Sequence, residues 1–206
     1  MGFYAERIVP RIVDAVGGMK RTEPLRRRVC EGLYGEIIEI GFGSGHNVPF
    51  YPGTVTDVAA IEPSDLAWRL ARERIDAGRT PVRRAALDSQ YLPFDDDTFD
   101  GALSTYTLCT IPDADGALRE VRRVLKPGGT LHFLEHGLAP EEDEDVRRRQ
   151  RRLDPLERRL LAGCHLTRPI AGMLTAAGFT IVDLDVFYEE GAPKALGAHS
   201  LGVAAA

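Results

Sequence analysis

The sequence predicts an α/β fold, a doubly wound and mostly parallel sheet with helices on both faces. Three observations carry this. Short apolar runs alternate with stretches of helical period from residue 36 to 136, the pattern left by repeated strand–helix–strand units. The first run, Glu36-Ile37-Ile38-Glu39-Ile40, is too short for a helix and breaks into Gly41, Gly43 and Gly45, as a buried parallel strand does where it turns. The most regular helical stripe, Ala114, Ala117, Leu118, Val121, Val124 and Leu125, is stopped by Pro127-Gly128-Gly129 and gives way to Thr130–Leu134, a helix handing over to the next strand.

At 206 residues, 44% apolar and 28% charged, the chain suits one domain, 1–206, with a core of its own. A net charge of −5 argues against a general nucleic-acid binder, which needs a basic face. Cys30, Cys109 and Cys164 are odd in number, far apart and without a C-x-x-C pair, so spacing indicates neither a disulfide framework nor a zinc site, and no metal is expected. No apolar run approaches the length of a membrane span, and residues 1–7 lack a signal-peptide core; the expected location is the cytoplasm.

Residues 3–19 place Ile8, Ile12, Val13 and Val16 at helical spacing, with Pro10 as a kink and Gly17-Gly18 as the stop. Pro24 opens a second helix through Val29 and Leu33, with Gly35 past its end. Residues 1–35 are thus two N-terminal capping helices, either packing elements or a cover for a substrate, ahead of a core at 36–206. Val55–Ile61 is the second strand, and Ser64 caps a helix carrying Leu66, Ala67, Leu70, Ala71 and Ile75. Pro81–Ala86 and Phe99–Leu103 are the third and fourth strands, with Asp95–Asp97 a charged turn between them. After the fifth strand, Glu141–Asp145 is acidic and Val146–Arg152 basic. That order suits a solvated helix; with Leu153, Leu156, Leu160 and Leu161 it also fits peripheral membrane contact through 146–161. A helix through Ile170 and Leu174 ends at Gly178, Phe179–Phe187 is the sixth strand, and Leu196–Ala204 is the seventh, paired antiparallel at the sheet's edge.

The glycines let the backbone turn sharply and lie against a ligand, and a helix is expected to follow with its free N–H groups facing the turn. A dinucleotide fingerprint needs a third glycine at position 46, which is His46. Glu62 closes the second strand about twenty residues beyond the glycines, where a carboxylate can accept from both hydroxyls of a ribose. Asp88, after the third strand, can accept from an adenine amino group. Ser104 to Cys109 ends the fourth strand on the side of the sheet where α/β proteins bind ligands.

Taken together, Glu39-x-Gly41-x-Gly43-x-Gly45, Ile61-Glu62-Pro63, Leu92-Pro93-Phe94 with Phe99-Asp100, and Leu125-Lys126-Pro127-Gly128-Gly129 resemble the class I S-adenosylmethionine (SAM)-dependent methyltransferases, above all the branch with the quinone-biosynthesis enzymes. The resemblance covers residues 36–136. It implies a Rossmann-like, seven-stranded sheet and SAM as methyl donor, with S-adenosylhomocysteine as product. By position it places Glu39, Gly41, Phe42, Gly43, Gly45 and Asn47 along the amino-acid part of SAM, Glu62 and Pro63 at the ribose, Leu87 and Asp88 at the adenine, and Thr105 and Tyr106 on the far wall. A narrower resemblance, in Leu108-Cys109, Glu135-His136, Leu153-Asp154-Pro155, Gly163-Cys164, Leu166-Thr167-Arg168 and His199, is to the animal alkyl thiol methyltransferases. This sequence departs from them in Phe42, where many relatives have Cys, and in its start, where the animal proteins carry a hydrophobic segment.

Methyl transfer from a sulfonium is an in-line displacement that asks mainly for positioning in a water-poor site. The expected acceptor is small and apolar, with a thiol favoured over a quinone precursor or a lipid amine. The candidates for acceptor activation are His136, at the end of the fifth strand, and His165; Cys164 reads as a buried apolar residue. Readings from other classes are a nicotinamide-dependent oxidoreductase, disfavoured by His46, and a SAM-binding protein without turnover.

Overall fold

The computed structural model describes residues 7–160 and 163–206; residues 3–6 of the first expected helix and Leu161 lie outside them. The elements run α1 (Val9–Gly17), α2 (Glu23–Cys30), β1 (Gly35–Ile40), β2 (Val55–Ile61), α3 (Asp65–Ala77), β3 (Val82–Ala86), β4 (Phe99–Thr105), α4 (Ala114–Val124), β5 (Leu125–His136), α5 (Glu144–Leu160), α6 (Ile170–Ala176), β6 (Thr180–Tyr188) and β7 (Ala198–Ala205). One seven-stranded sheet has the order β3-β2-β1-β4-β5-β7-β6. β1 to β5 pair in parallel, and β7 lies antiparallel between β5 and β6. The last strand is therefore antiparallel as expected, but it is inserted beside the edge strand.

Alternation along the strands sends side chains to both faces of the sheet. Ile38, Ile40, Ala59, Ile61, Ala102, Leu131 and Phe133 pack with Leu118 and Val121 of α4 and Ile170 and Leu174 of α6. Ile37, Val58, Leu103, Leu134 and Leu201 face the other way, onto Val29 and Cys30 of α2, with Ala60 of β2 meeting Ala71 of α3 further along the same side. Ser64 caps α3 as expected, accepting from the N–H of Ala67, and Asp113 caps α4, accepting from the N–H of Gly116.

Two expectations need correction. No α-helix follows the glycine loop: the crossover from β1 to β2 holds only a 3₁₀ turn at Val48–Phe50. The segment is short, and Pro49 and Pro52 remove the donors that a longer helix would use. The β3-to-β4 crossover, residues 87–98, also lacks a helix, so the alternation across residues 36 to 136 is incomplete. Boundaries moved as well. α2 stops at Cys30, where Gly32 adopts φ +84°, and α5 continues to Leu160 through Pro155.

The candidate active site

The site is assembled at the carboxyl ends of β3, β2, β1 and β4, which are neighbours in that order. The chain passes from β1 to β2 on one side and later returns to β4 on the other. Such a reversal of strand order opens a crevice.

The glycine loop forms one wall. Gly41, Gly43 and Gly45 all have positive φ, at +67°, +59° and +77°. The amides of Gly41 and Phe42 both donate to the carbonyl of Ile61, at 3.0 and 3.1 Å, so the loop is pulled across the end of β2. A Cβ on Gly41 would lie 2.8 Å from Cβ of Thr107 and closer still to its Oγ1 and Cγ2. A Cβ on Gly43 would meet nothing nearer than 3.9 Å, so open space lies over that residue. Phe42 is buried, its ring 5.4 Å from that of Trp68; it offers the crevice only backbone, which accounts for tolerance of Phe there.

Glu62 is 6% exposed. One carboxylate oxygen accepts from the N–H of Gly43 at 2.7 Å and the other from the N–H of Ser64 at 2.6 Å. Burial nevertheless raises its pKa, against those two bonds and the charge of Arg84. Its own amide donates to the carbonyl of Ala86 at 3.1 Å, which sets the end of β3 beside it. There Leu87 is 58% exposed, while Asp88 accepts from the backbone and side-chain N–H groups of Gln90 at 2.9 and 3.1 Å. Pro63 is exposed.

Behind the loop lies a buried polar network. Asn47 donates to Glu39 and to Thr105, both at 2.9 Å, and accepts from Arg26 at 2.7 Å. The hydroxyl of Tyr51 donates to the second oxygen of Glu39. Burial pushes the Glu39 carboxyl up to about 7, although Tyr51, Asn47 and Arg26 all favour its charged form. Nε of Arg26 has no partner among the described residues, and its guanidinium lies 5.6 Å from the Tyr106 ring centroid. Arg26 was missed in the sequence, yet a signal was there. It shares a helical stripe with Val29, Cys30 and Leu33, a position where a charge needs a reason.

His46 also has a local role. Its Nε2 is 3.0 Å from both the carbonyl and Oδ1 of Asp14 in α1, and Asp14 in turn meets Arg74 of α3 at 3.1 Å. Burial, with Arg74 and Arg26 nearby, lowers the His46 pKa to about 4, so this contact is a hydrogen bond of the neutral ring. α1 is thereby tied down over the glycine loop.

Tyr106 begins the opposite wall, held at φ +55°. Its ring centroid is 5.0 Å from that of His136 and 5.5 Å from that of His199. The two imidazoles stack at 4.6 Å across the β5–β7 pair, with Phe187 5.5 Å from His199. Nδ1 of His136 is 3.9 Å from Sγ of Cys164. Cys109, His136 and Cys164 place one donor atom each within 4.8 Å of one another. Linear spacing concealed this group, because its members come from three separate segments. His165 lies apart from it. Its backbone N–H donates to the carbonyl of Cys109 at 2.8 Å, and its ring pKa is lowered by burial and then by Arg168 and Arg158.

Residues 38–133 match the family described as the methyltransferase domain. The rat thiol S-methyltransferase TMT1B is 31% identical over 152 residues, covering 72% of this chain and 62% of the relative; the chain spans about three fifths of that protein's length. The mouse thiol S-methyltransferase TMT1B is 30% identical over 188 residues, covering 89% of this chain and 76% of the relative. The chain belongs to the class I SAM-dependent methyltransferases. In fold, this methyltransferase superposes on a SAM-dependent methyltransferase of Thermotoga maritima with a TM-score of 0.68, at 22% identity and over 100% and 99% of the two chains. Family membership implies SAM as cofactor, and the residues present fit it. The open space over Gly43 borders the crevice, and the buried Nε of Arg26 behind the loop is left without a partner among the described residues. No helix among the described residues is long and apolar enough to cross a membrane.

Proposed function

We propose that this protein transfers the methyl group of SAM to a small apolar acceptor, and that the acceptor is a thiol. When bound, SAM supplies an electrophilic methyl on a sulfonium. The chain's own residues hold and orient the two reactants. The Gly43 and Gly45 backbone lies along the amino-acid part, and Glu62 uses the lone pairs left free by Gly43 and Ser64 for the ribose hydroxyls. Leu87 and Asp88 border the adenine. Glu39, Asn47 and Thr105 fix the loop from behind, while Arg26 holds α2 against it.

The observation that carries the thiol reading is the far wall of the crevice. Tyr106, His136, His199 and Phe187 form a continuous aromatic surface, suited to an apolar body with a polarizable atom. The similarity to thiol S-methyltransferases also extends beyond the family's shared domain, over 188 residues. An ordinary thiol has a pKa near 8.5 and is mostly protonated at neutral pH, so acceptor activation matters. We assign it to His136, which touches the wall, and not to His165. The N-terminal segment covers the site: Arg21 pairs with Glu189 at 2.9 Å, bridging the α1–α2 turn to the end of β6.

The test is formation of S-adenosylhomocysteine from SAM with a small alkyl thiol as sole acceptor. Product should grow with thiol concentration, vanish in Glu62→Ala, and fall in His136→Ala with SAM affinity unchanged. SAM binding without product on thiols would refute the acceptor and move the search to quinone precursors and lipid amines. No turnover on any acceptor would point to a SAM-binding protein without catalysis.

A further inference from the structure

Cys109, His136 and Cys164 need an explanation beyond packing. Two thiols and an imidazole converge with donor atoms within 4.8 Å of one another, in a region where Cys109 is 1% and Cys164 6% exposed. Soft sulfur donors beside an imidazole nitrogen form the donor set that selects zinc and its thiophilic relatives. Each donor is also anchored independently. Arg168 donates to the carbonyls of Leu108 and, at 2.7 Å, Ile111, pinning the Cys109 loop from both sides. Glu135 accepts from the N–H of Thr107 at 2.9 Å and that of Cys109 at 3.4 Å. The Cys164 loop is held by Asp154, which accepts from the N–H of Leu166 at 2.8 Å and the hydroxyl of Thr167 at 3.1 Å. The His165 amide then bonds to the Cys109 carbonyl at 2.8 Å and locks the two loops together. His136 is fixed by its pairing with His199. A second shell of this kind orients the ligands of a metal site before the metal arrives.

We propose that Cys109, His136 and Cys164 bind a zinc-class divalent cation with three protein ligands, leaving one coordination position for the acceptor thiolate. Three ligands and an open position are the arrangement of a catalytic rather than a structural site. His136, the most exposed of the three, stands beside Tyr106, so the open position borders the acceptor wall. On binding, the acceptor's S–H bond breaks, its proton goes to water and its sulfur electron pair enters the vacant position. No electron is transferred, and no oxidant is needed. The role of the open position rests on the thiol-methyltransferase reading; metal binding does not.

The test uses the full chain, reduced and stripped of metal, titrated with cobalt(II) as a spectroscopic substitute for zinc. About one equivalent should bind per chain and give a thiolate-to-cobalt charge-transfer band. Zinc should displace it. The band should be lost in Cys109→Ala and in Cys164→Ala but kept in Cys30→Ala, whose thiol is buried on α2 outside the group. Unchanged SAM affinity in the first two variants would show that they remain folded. Adding a small alkyl thiol should shift the cobalt ligand-field bands, with or without SAM present. No cobalt or zinc bound at stoichiometric concentration, or a band that survives in both cysteine variants, would overturn the site. A spectrum unmoved by saturating thiol would overturn the open position. Failure of turnover alone would count against the thiol reading and leave the metal site standing.

Discussion

Gly41 and Gly43 are separated by a single residue and share the same backbone handedness, yet the structure gives them different reasons for being glycine. Alanine at either position must hold a positive φ, which costs about 1–2 kcal/mol. At Gly41 the new methyl would also be driven into Thr107, whose Cβ lies 2.8 Å away with two further side-chain atoms nearer. Overpacking of this kind adds about 1–3 kcal/mol. Gly41→Ala should therefore cost about 2–5 kcal/mol in the ligand-free protein, and Gly43→Ala, with 3.9 Å to its nearest neighbour, about 1–2 kcal/mol. In urea unfolding followed by circular dichroism, with a slope of about 2 kcal/mol per molar, the Gly41 variant's midpoint should fall by about 1–2.5 M. Thr107→Ala removes the two nearest atoms, so the Gly41→Ala/Thr107→Ala pair should recover about 1–2 kcal/mol relative to additivity. SAM affinity should show the reverse ranking once only folded protein is counted, because the space over Gly43 belongs to the ligand. Equal destabilisation by the two alanines, or no coupling to Thr107, would refute the reasoning.

Three further outcomes follow from the polar groups around the loop. Between the ordinary carboxylate value and about 7, folded Glu39 keeps a proton that the unfolded chain has lost. Stability should accordingly fall as pH rises through that window, by about 3 kcal/mol; Glu39→Gln should flatten this part of a plot of urea midpoint against pH, and an identical fall in both proteins would count against the assignment. Replacing Glu62 by Ala removes the acceptor for the Gly43 and Ser64 amides, and two charge-assisted bonds to the ribose are expected to go with it. SAM affinity measured by calorimetry should weaken roughly a hundredfold, and an unchanged value would sink the ribose role. Arg26→Met leaves the Asn47 carbonyl buried without its donor, which should cost about 1–3 kcal/mol in urea and weaken SAM binding; a variant with wild-type behaviour in both assays would exclude Arg26 from the network.

The glycine loop and the strand ends around it were legible in the sequence, because each part is local. A strand running into glycines, an acidic residue closing the next strand, and capped helices at Ser64 and Asp113 are patterns of a few residues. Their periods and breakers are visible without tertiary information. The missing helix after the loop shows where a pattern misleads: the glycines indicated a turn, but the prolines at 49 and 52 decided what followed it. Arg26 was hidden for a different reason. Its stripe with Val29, Cys30 and Leu33 signalled burial, but its partners Asn47 and Tyr106 lie far along the chain and nothing near position 26 announces them. The wall around His136 was least legible. His136, Cys109 and Cys164 were each visible as single residues, but their convergence depends on how three distant segments pack. Pairwise spacing carries no record of that.

The place of β7 has a consequence for how the protein is made. It is the last of these seven strands in chain order, yet it fills the gap between β5 and β6. Until it arrives, both neighbours present unpaired edges that invite wrong partners. The glycine loop, Glu62 and the polar network draw their side-chain partners from residues up to Thr107, and His136 waits for His199 on β7. The glycine-loop side of the crevice can thus take shape while the chain is still being synthesised. The wall of Tyr106, His136 and His199 is complete only when the sheet closes, so the two sides of the crevice mature at different stages of folding.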